Sequence, residues 1–553
     1  MSVYVKYLDY PVGAQEDGTA ASSEKQSFSS DSEIMNGVAD TAWATLEPGV
    51  WALDGTRRIY DTAPAGWWSL QRSDDNGEFS TAPTITVTFT APYTATGLTF
   101  QFSPSTEQYC SRLTVAWYND TTLLAETTVQ PDSAFYVLSQ TVESFDKIVV
   151  TLLATNKPNQ FAKLEQLTIG QIIVLDETEL VKVNLLNELD PSITEMSVDE
   201  MTLEINDRHE RDYAPQENQT LELYVNGELR AAHYLKESTR TASHYYTFKA
   251  QSIMGLLDDD YMGGIYSAVG VSTLLNDILG DVPYSLDSTF ADVTLSGYLP
   301  ICTRREALLQ VAIALGALVT TQGGYNIRLL PLPDGIVRSI PTSQIFTGAS
   351  VQTSARIARV DVFEHSYIES DESEELIKDT EISGDDVLYT FADPHHGYEI
   401  TGGTISSSGA NWAKITASGT VTLTGKKYIH ATRQHSKSNP MANSGEKSNI
   451  VQLTGATLVG PANADNVLTR LYNYYLLRQT LQQEIVAEDL RAGELVMTQN
   501  IWGGNTRGYI TSMESTITRG AVTASVTIIG EQMATAAVFG YAGQMYANEE
   551  VLF

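Results

Sequence analysis

Gly297-Tyr298-Leu299-Pro300-Ile301-Cys302-Thr303-Arg304-Arg305-Glu306-Ala307-Leu308-Leu309-Gln310-Val311-Ala312-Ile313-Ala314-Leu315-Gly316-Ala317 is the stretch on which the reading of this chain turns. Thr303 followed three residues later by Glu306 has the spacing at which a hydroxyl and a carboxylate satisfy each other's orphan amides at a helix start. Ala307, Leu308, Val311, Ala312 and Leu315 recur at i, i+3 and i+4, and Gly316 stops the run. The residues predict a capped amphipathic helix over 303–315. Arg304, Arg305 and Glu306 invite a catalytic reading, but no partner constellation accompanies them, and capping accounts for them.

Working outward, Ser272 to Gly280 reads as a second short helix. Leu318-Val319-Thr320 and Tyr325 to Leu330 read as a hairpin joined by Gly323-Gly324. Residues 256–340 are therefore expected to be a small α+β domain. Upstream, 173–255 alternates in short strands, and Val225-Asn226-Gly227-Glu228 is the strongest hairpin signal, because Asn-Gly tolerates the positive φ angles of a tight turn. Before it, 39–172 carries several alternating strands, Thr84 to Phe89, Leu113 to Trp117 and Lys147 to Leu152 among them, and predicts a β-sandwich. Residues 1–38 read as a strand followed by an arm with few large apolar residues. Downstream, 341–460 is β-rich, 461–484 reads as a long helix carrying Val467, Leu468, Leu471, Tyr474, Tyr475 and Leu477, 485–532 returns to strands with a turn at Arg519-Gly520, and 533–553 is a tail. The expected fold class is mainly β and multidomain with an α+β insertion: a β-sandwich, two pseudo-equivalent β-barrels at 173–255 and 485–532, and a small helical domain.

Composition narrows the function classes. The chain has 553 residues, too many for one ordinary domain, and 42% hydrophobic content, enough for real cores. No run reaches the length of a membrane span, and Met1 to Tyr10 lacks the basic and apolar regions of a signal peptide. Cys110 and Cys302 stand far apart, which excludes a disulfide framework and a Cys-based zinc site. A net charge of −34 argues against a duplex-DNA reader, which needs a basic footprint.

The search for chemistry returns little. His395-His396, with His430 and His435, lacks the spacing and carboxylates of a metal site, and these read as loop histidines. Gly419 to Lys427 has five residues between its glycines, and Lys427 stands where a phosphate loop needs Ser or Thr. Cys302 precedes a helix start, which lowers a thiol pKa, but it has no base and reads as structural. No cofactor is expected. One ligand feature stands out: Trp43, Trp51, Tyr60, Trp67 and Trp68 cluster with Arg57, Arg58, Arg72 and Asp74. Flat aromatic faces beside planar polar groups suit a sugar, so Trp67, Trp68, Tyr60, Arg72 and Asp74 are the candidate glycan contacts. The competing reading is that these aromatics fill the sandwich core. Asp74-Asp75-Asn76-Gly77-Glu78 suits calcium or, more simply, a turn.

The segment 173–335 resembles the front half of baseplate hub or tail-associated proteins of phages that infect Gram-positive hosts. The resemblance is carried by Lys182 to Pro191, Ser197 to Asp207, Val225 to Leu229, Gln251 to Leu257, Gly263 to Tyr266 and the opening stretch. Residues 39–172 are similar, more weakly, to discoidin-like, galactose-binding-like sandwiches. The resemblance implies a homotrimeric ring at the tail tip of the virion, with the two barrels of each subunit forming a pseudo-six-fold ring. It implies tail-tube and distal tail proteins, a tape measure protein, and tail fibres or receptor-binding proteins as partners. It also implies that DNA passes through without specific binding and that host cell-wall or capsule glycans are candidate ligands of the sandwich. Such hubs often continue into a lysozyme or peptidase; no such motif occurs here, so a non-enzyme is expected. The alternatives are a carbohydrate-binding adhesin or receptor-binding tail protein without a hub role and, more remotely, a glycan hydrolase.

Overall fold

The structure, a computed structural model, describes residues 2–37, 43–44, 47, 60–61, 66–103, 107–209, 211, 213–442, 449–487, 489–499, 504–518 and 521–533, with 43–44 and 60–61 as backbone only. The chain is mainly β and multidomain, with few helices.

The central feature is a thirteen-stranded sheet. Its first half follows from simple alternation: Val183 and Leu185, Met201, Leu203 and Ile205, then Leu221 and Leu223 all point into one apolar core. At the predicted hairpin, Val225 pairs with Glu228 across Asn226 and Gly227, whose φ angles are 54° and 83°. Those are the values a two-residue turn needs to match strand twist. The second half, Asn505–Thr518, Ala521–Met533, Gln479–Val486 and Ser350–Thr353, joins the first through one antiparallel ladder, Val183 opposite Ile517 to Glu188 opposite Ser512. The two barrel units, far apart in sequence, are thus hydrogen-bonded edge to edge over a shared core.

The N-terminal strand Val3–Asp9 lies between Gln171–Leu175 and Thr220–Val225. The sandwich is therefore inserted between two neighbouring strands of the first barrel unit. The segment read as an arm is packed against it. Thr19–Ser22 pairs with Thr84–Gln101, and Ala14, Ile34 and Met35 are buried in the sandwich core. Three small or flexible apolar residues among polar ones are enough to anchor it, and they leave almost no periodic trace in the sequence. Asp9 pins the junction: it accepts hydrogen bonds from the Thr96 hydroxyl of the sandwich (2.7 Å) and the Gln219 amide of the barrel unit (3.0 Å). Burial pushes its carboxyl above the usual range.

The helix Arg304–Leu315 carries the predicted capping box. The Thr303 hydroxyl accepts from Glu306 N–H at 3.1 Å, and the Glu306 carboxylate accepts from Thr303 N–H at 2.9 Å. Its burial is wider than one stripe. Ala307, Leu308, Val311 and Ala314 face the small α+β core, while Ala312 and Ile313 face the large core. The helix is a wedge between two cores.

Two elements differ from expectation. The helix read over 461–484 spans only Ala464–Tyr475, and a strand, Gln479–Val486, follows. Its inward residues are Leu481, Gln483 and Ile485. The buried Gln483, which donates to Thr498 at 2.8 Å, hides the alternation. Within 341–460, short strands were expected. The structure has three long antiparallel strands, with Trp412–Ser438 lying between Arg359–Thr390 and His395–Ser408. Register shifts at several points, and the acidic run 371–375 inside the first strand, erase the period. The turn at Arg519-Gly520 and residues 534–553 of the tail lie outside the described residues.

Candidate functional site

The strand Trp67–Arg72 pairs with Phe161–Leu164, setting Trp67 opposite Leu164, Trp68 opposite Lys163 and Arg72 opposite Phe161. Trp67 is fully buried in the sandwich core, and Trp68 is 8% exposed. The faces of Trp68 are taken: Phe28 meets it edge-on at 5.4 Å, and the Lys163 ammonium sits 4.1 Å from its ring centre. Lys163 is itself enclosed, 2.7 Å from the Glu47 carboxylate, and also donates to Gln108. Arg72 is exposed, its guanidinium 4.9 Å from the Phe161 ring. Asp74 is exposed in a turn, where one carboxylate oxygen accepts from the backbone of Asn76 (2.8 Å) and Glu78 (2.9 Å). The Glu78 bond and then the Asn76 bond hold its pKa below the usual carboxylate range. The Tyr60 side chain, like Trp43, Trp51, Arg57 and Arg58, lies outside the described residues.

Among the described candidates, Trp67 and Trp68 are interior while Arg72 and Asp74 are exposed. The two tryptophans are interior because their strand enters the sandwich edge where Leu164 and Phe161 need cover. What the arrangement offers chemically is an internal cation–π and ion-pair box.

The histidines read as loop residues lie on the long strands His395–Ser408 and Trp412–Ser438. His365 and His430 stack, with ring nitrogens 2.9 Å apart. His435 meets Glu364 through Nε2 and Asp465, at the start of the Ala464–Tyr475 helix, through Nδ1, each at 2.8 Å. Only an imidazolium donates from both nitrogens. The hydrogen bond to Glu364, then that to Asp465, raises the His435 pKa from its ordinary 6.5. A raised pKa means stability fully present below 6.5 and lost as pH climbs through the raised value. Amide protection factors in the helix should fall as pH rises above the ordinary histidine range, and His435→Gln should flatten that change; equal profiles in both proteins would refute the link. Among the described residues, no three His, Cys, Asp or Glu side chains are grouped to hold a metal ion. Burial, with Glu306 nearby, pushes the Cys302 thiol up to about 11, away from the reactive range.

One buried group went unnoticed in the sequence. Asp199, at the mouth of the first barrel unit, accepts from Glu188 N–H and from the Thr321 hydroxyl of the α+β unit, both at 3.1 Å. Ser252 donates its backbone N–H to the Asp199 carbonyl at 2.8 Å. It ties three elements together. An Asp199-Glu200 pair at the start of an alternating strand gives no sign of which acid is buried. Burial raises the Asp199 pKa from 3.8 to about 6. The sign follows: its favourable contribution is complete below about pH 4 and is lost as pH rises through 6. Asp199→Asn removes the charge, keeps an oxygen to accept from Glu188 N–H, and offers its amide N–H to the Thr321 hydroxyl, which then accepts. The variant should match the parent at pH 4 and exceed it at pH 8 by as much as about 3 kcal/mol in denaturant titrations. Parallel pH profiles for the two proteins would overturn this.

No protein-family model matches the chain, and none of the curated proteins matches it. Among solved structures, it is similar to the 43 kDa tail protein of prophage MuSo2 from Shewanella oneidensis, at 8% identity and a TM-score of 0.39, over 65% of this chain and 94% of that one. Prophage tail protein gp18 from Listeria monocytogenes EGD-e gives 10% identity and a TM-score of 0.39, over 65% and 91%. The family 32 carbohydrate-binding module of C. perfringens NanJ, solved with galactose, gives 13% identity and a TM-score of 0.20, over 30% and 98%. The structural neighbours thus include phage and prophage tail proteins, at scores that describe similarity and do not establish membership of a family.

Proposed function

We propose that this chain is a structural hub protein of a phage tail, forming a three-fold ring at the tail tip through which DNA passes. The observation that carries the reading is the continuous sheet. Two β-units whose main strands lie far apart in sequence are joined along the Leu180–Glu188 and Asn505–Thr518 strands, so that each subunit presents the two units side by side. Three such subunits would alternate six units around a pore. The motif resemblance over 173–335 supports the same reading. So does the charge of −34: binding by counterion release needs basic residues, so an acidic lumen lets DNA slide. The tube, tape measure and receptor-binding proteins are its partners in this reading, and it has no enzymatic role. The test is the mass and shape of the purified chain. Light scattering should give three times the monomer mass, and electron microscopy a three-fold ring with the two β-units at its inner wall. A monomer at all concentrations, both free and in tail particles, would exclude the hub.

A further inference from the structure

Three arginines converge where the two barrel units and the α+β unit meet. Arg230 lies on the Glu228–Arg240 strand, Arg328 on Ile327–Pro331, and Arg491 in the turn before Leu495–Gln499. In so acidic a chain, arginines would be expected to find carboxylates. These three are instead hydrogen-bonded to backbone carbonyls: Arg230 to Leu490, Arg328 to Gln322 at 2.6 Å, and Arg491 to the same Gln322 oxygen at 3.2 Å. Among the described residues, none of the three forms an ion pair.

The crowding is built in. Gly323, at φ 76°, lies under the Arg491 guanidinium, and a Cβ there would come within 2.3 Å of it. Arg328 and Arg230 each have a lowered pKa, through burial first and the Arg491 charge second. Asp489, Glu494 and Glu228 offset this only in part at Arg230. Glu494 accepts from the Arg491 backbone N–H at 3.3 Å, and Asp489 at the rim is taken by Arg338 at 3.3 Å. A cavity of about 220 Å³ opens beside Arg328 and Arg491; Leu189, Leu318, Leu330 and Pro333 line it, with Glu494 at one side.

Arginine forks hold carboxylates in bidentate fashion, and two forks facing one cavity leave donors to spare. The aliphatic walls disfavour a fully hydrated dianion and suit a group with an apolar stem. The volume admits one side chain with room to spare. We infer that this junction pocket receives a glutamate side chain, flanked by apolar residues, from a partner polypeptide, its carboxylate held between Arg328 and Arg491. The inference stands on the pocket alone and does not require the hub reading.

The probe is acetyl-(4-fluoro-Phe)-Glu-Leu-amide, followed by fluorine NMR against the full chain. Its Gln twin is the neutral control, and inorganic phosphate is the competitor. The Glu peptide should bind, the Gln twin about tenfold or more weakly, and phosphate should not displace it. Arg328→Gln and Arg491→Gln should each reduce binding by a similar factor. Equal binding of both peptides would make the pocket merely apolar and overturn the inference. Displacement by phosphate would make it a bare oxyanion cluster, and absence of binding would refute it outright. The twin-peptide comparison uses the unaltered protein, so it stands even if an arginine variant fails to fold.

Discussion

Trp67→Ala should lower the stability of the sandwich by about 3–5 kcal/mol, the range for truncating a large buried aromatic side chain. Trp67 heads the fully buried side chains and sits in the core cluster opposite Leu164. Its indole N–H has no hydrogen-bond partner among the described residues, so Trp67→Phe should lose markedly less than Trp67→Ala. Calorimetry of the full chain resolves this as an earlier sandwich transition, with the transition of the shared-sheet core unmoved. A Trp67→Ala protein that melts like the parent while losing affinity for cell-wall glycans would restore the ligand reading and refute the core reading.

What sequence could and could not reveal follows from where periodicity survives. The capped helix was legible because its signals are local. Thr303, Glu306 and Gly316 each act within a turn of their own position, and the structure shows the expected cap. Asn226-Gly227 was legible for the same reason. The ladder between Val183 and Ile517 was not, since no local property of either strand names its partner. The strand at Gln479–Val486 was masked by an inward Gln483, and the long strands within 341–460 by their register shifts. The tryptophans show a different limit. A cluster of aromatics with arginines is compatible with a sugar platform and with a core, and composition cannot separate them. Burial of Trp67 and enclosure of Trp68 by Lys163 do. The arginine junction was invisible because Arg230, Arg328 and Arg491 come from three separate units.

Lys163 supports the second large prediction. Its side chain is 2% exposed and that of its partner Glu47 is 0% exposed, so neither charge has water to fall back on. Lys163→Met keeps the stem against Trp68 but removes the ammonium that faces the buried Glu47 carboxylate, and should destabilise the sandwich by about 3–5 kcal/mol. Glu47 also accepts the Phe161 backbone N–H at 2.8 Å. A Gln at 47 keeps that bond while removing the charge. The double variant Lys163→Met/Glu47→Gln should therefore recover most of the loss, leaving a coupling energy that the four-protein cycle measures directly. The reason is an asymmetry of buried pairs: desolvation roughly cancels attraction when both charges are present, whereas one charge alone suffers the desolvation without the compensation. Additive single-variant losses would show that the two charges do not compensate each other, and would remove the ion pair from the account of why this strand is fixed with Trp68 turned inward.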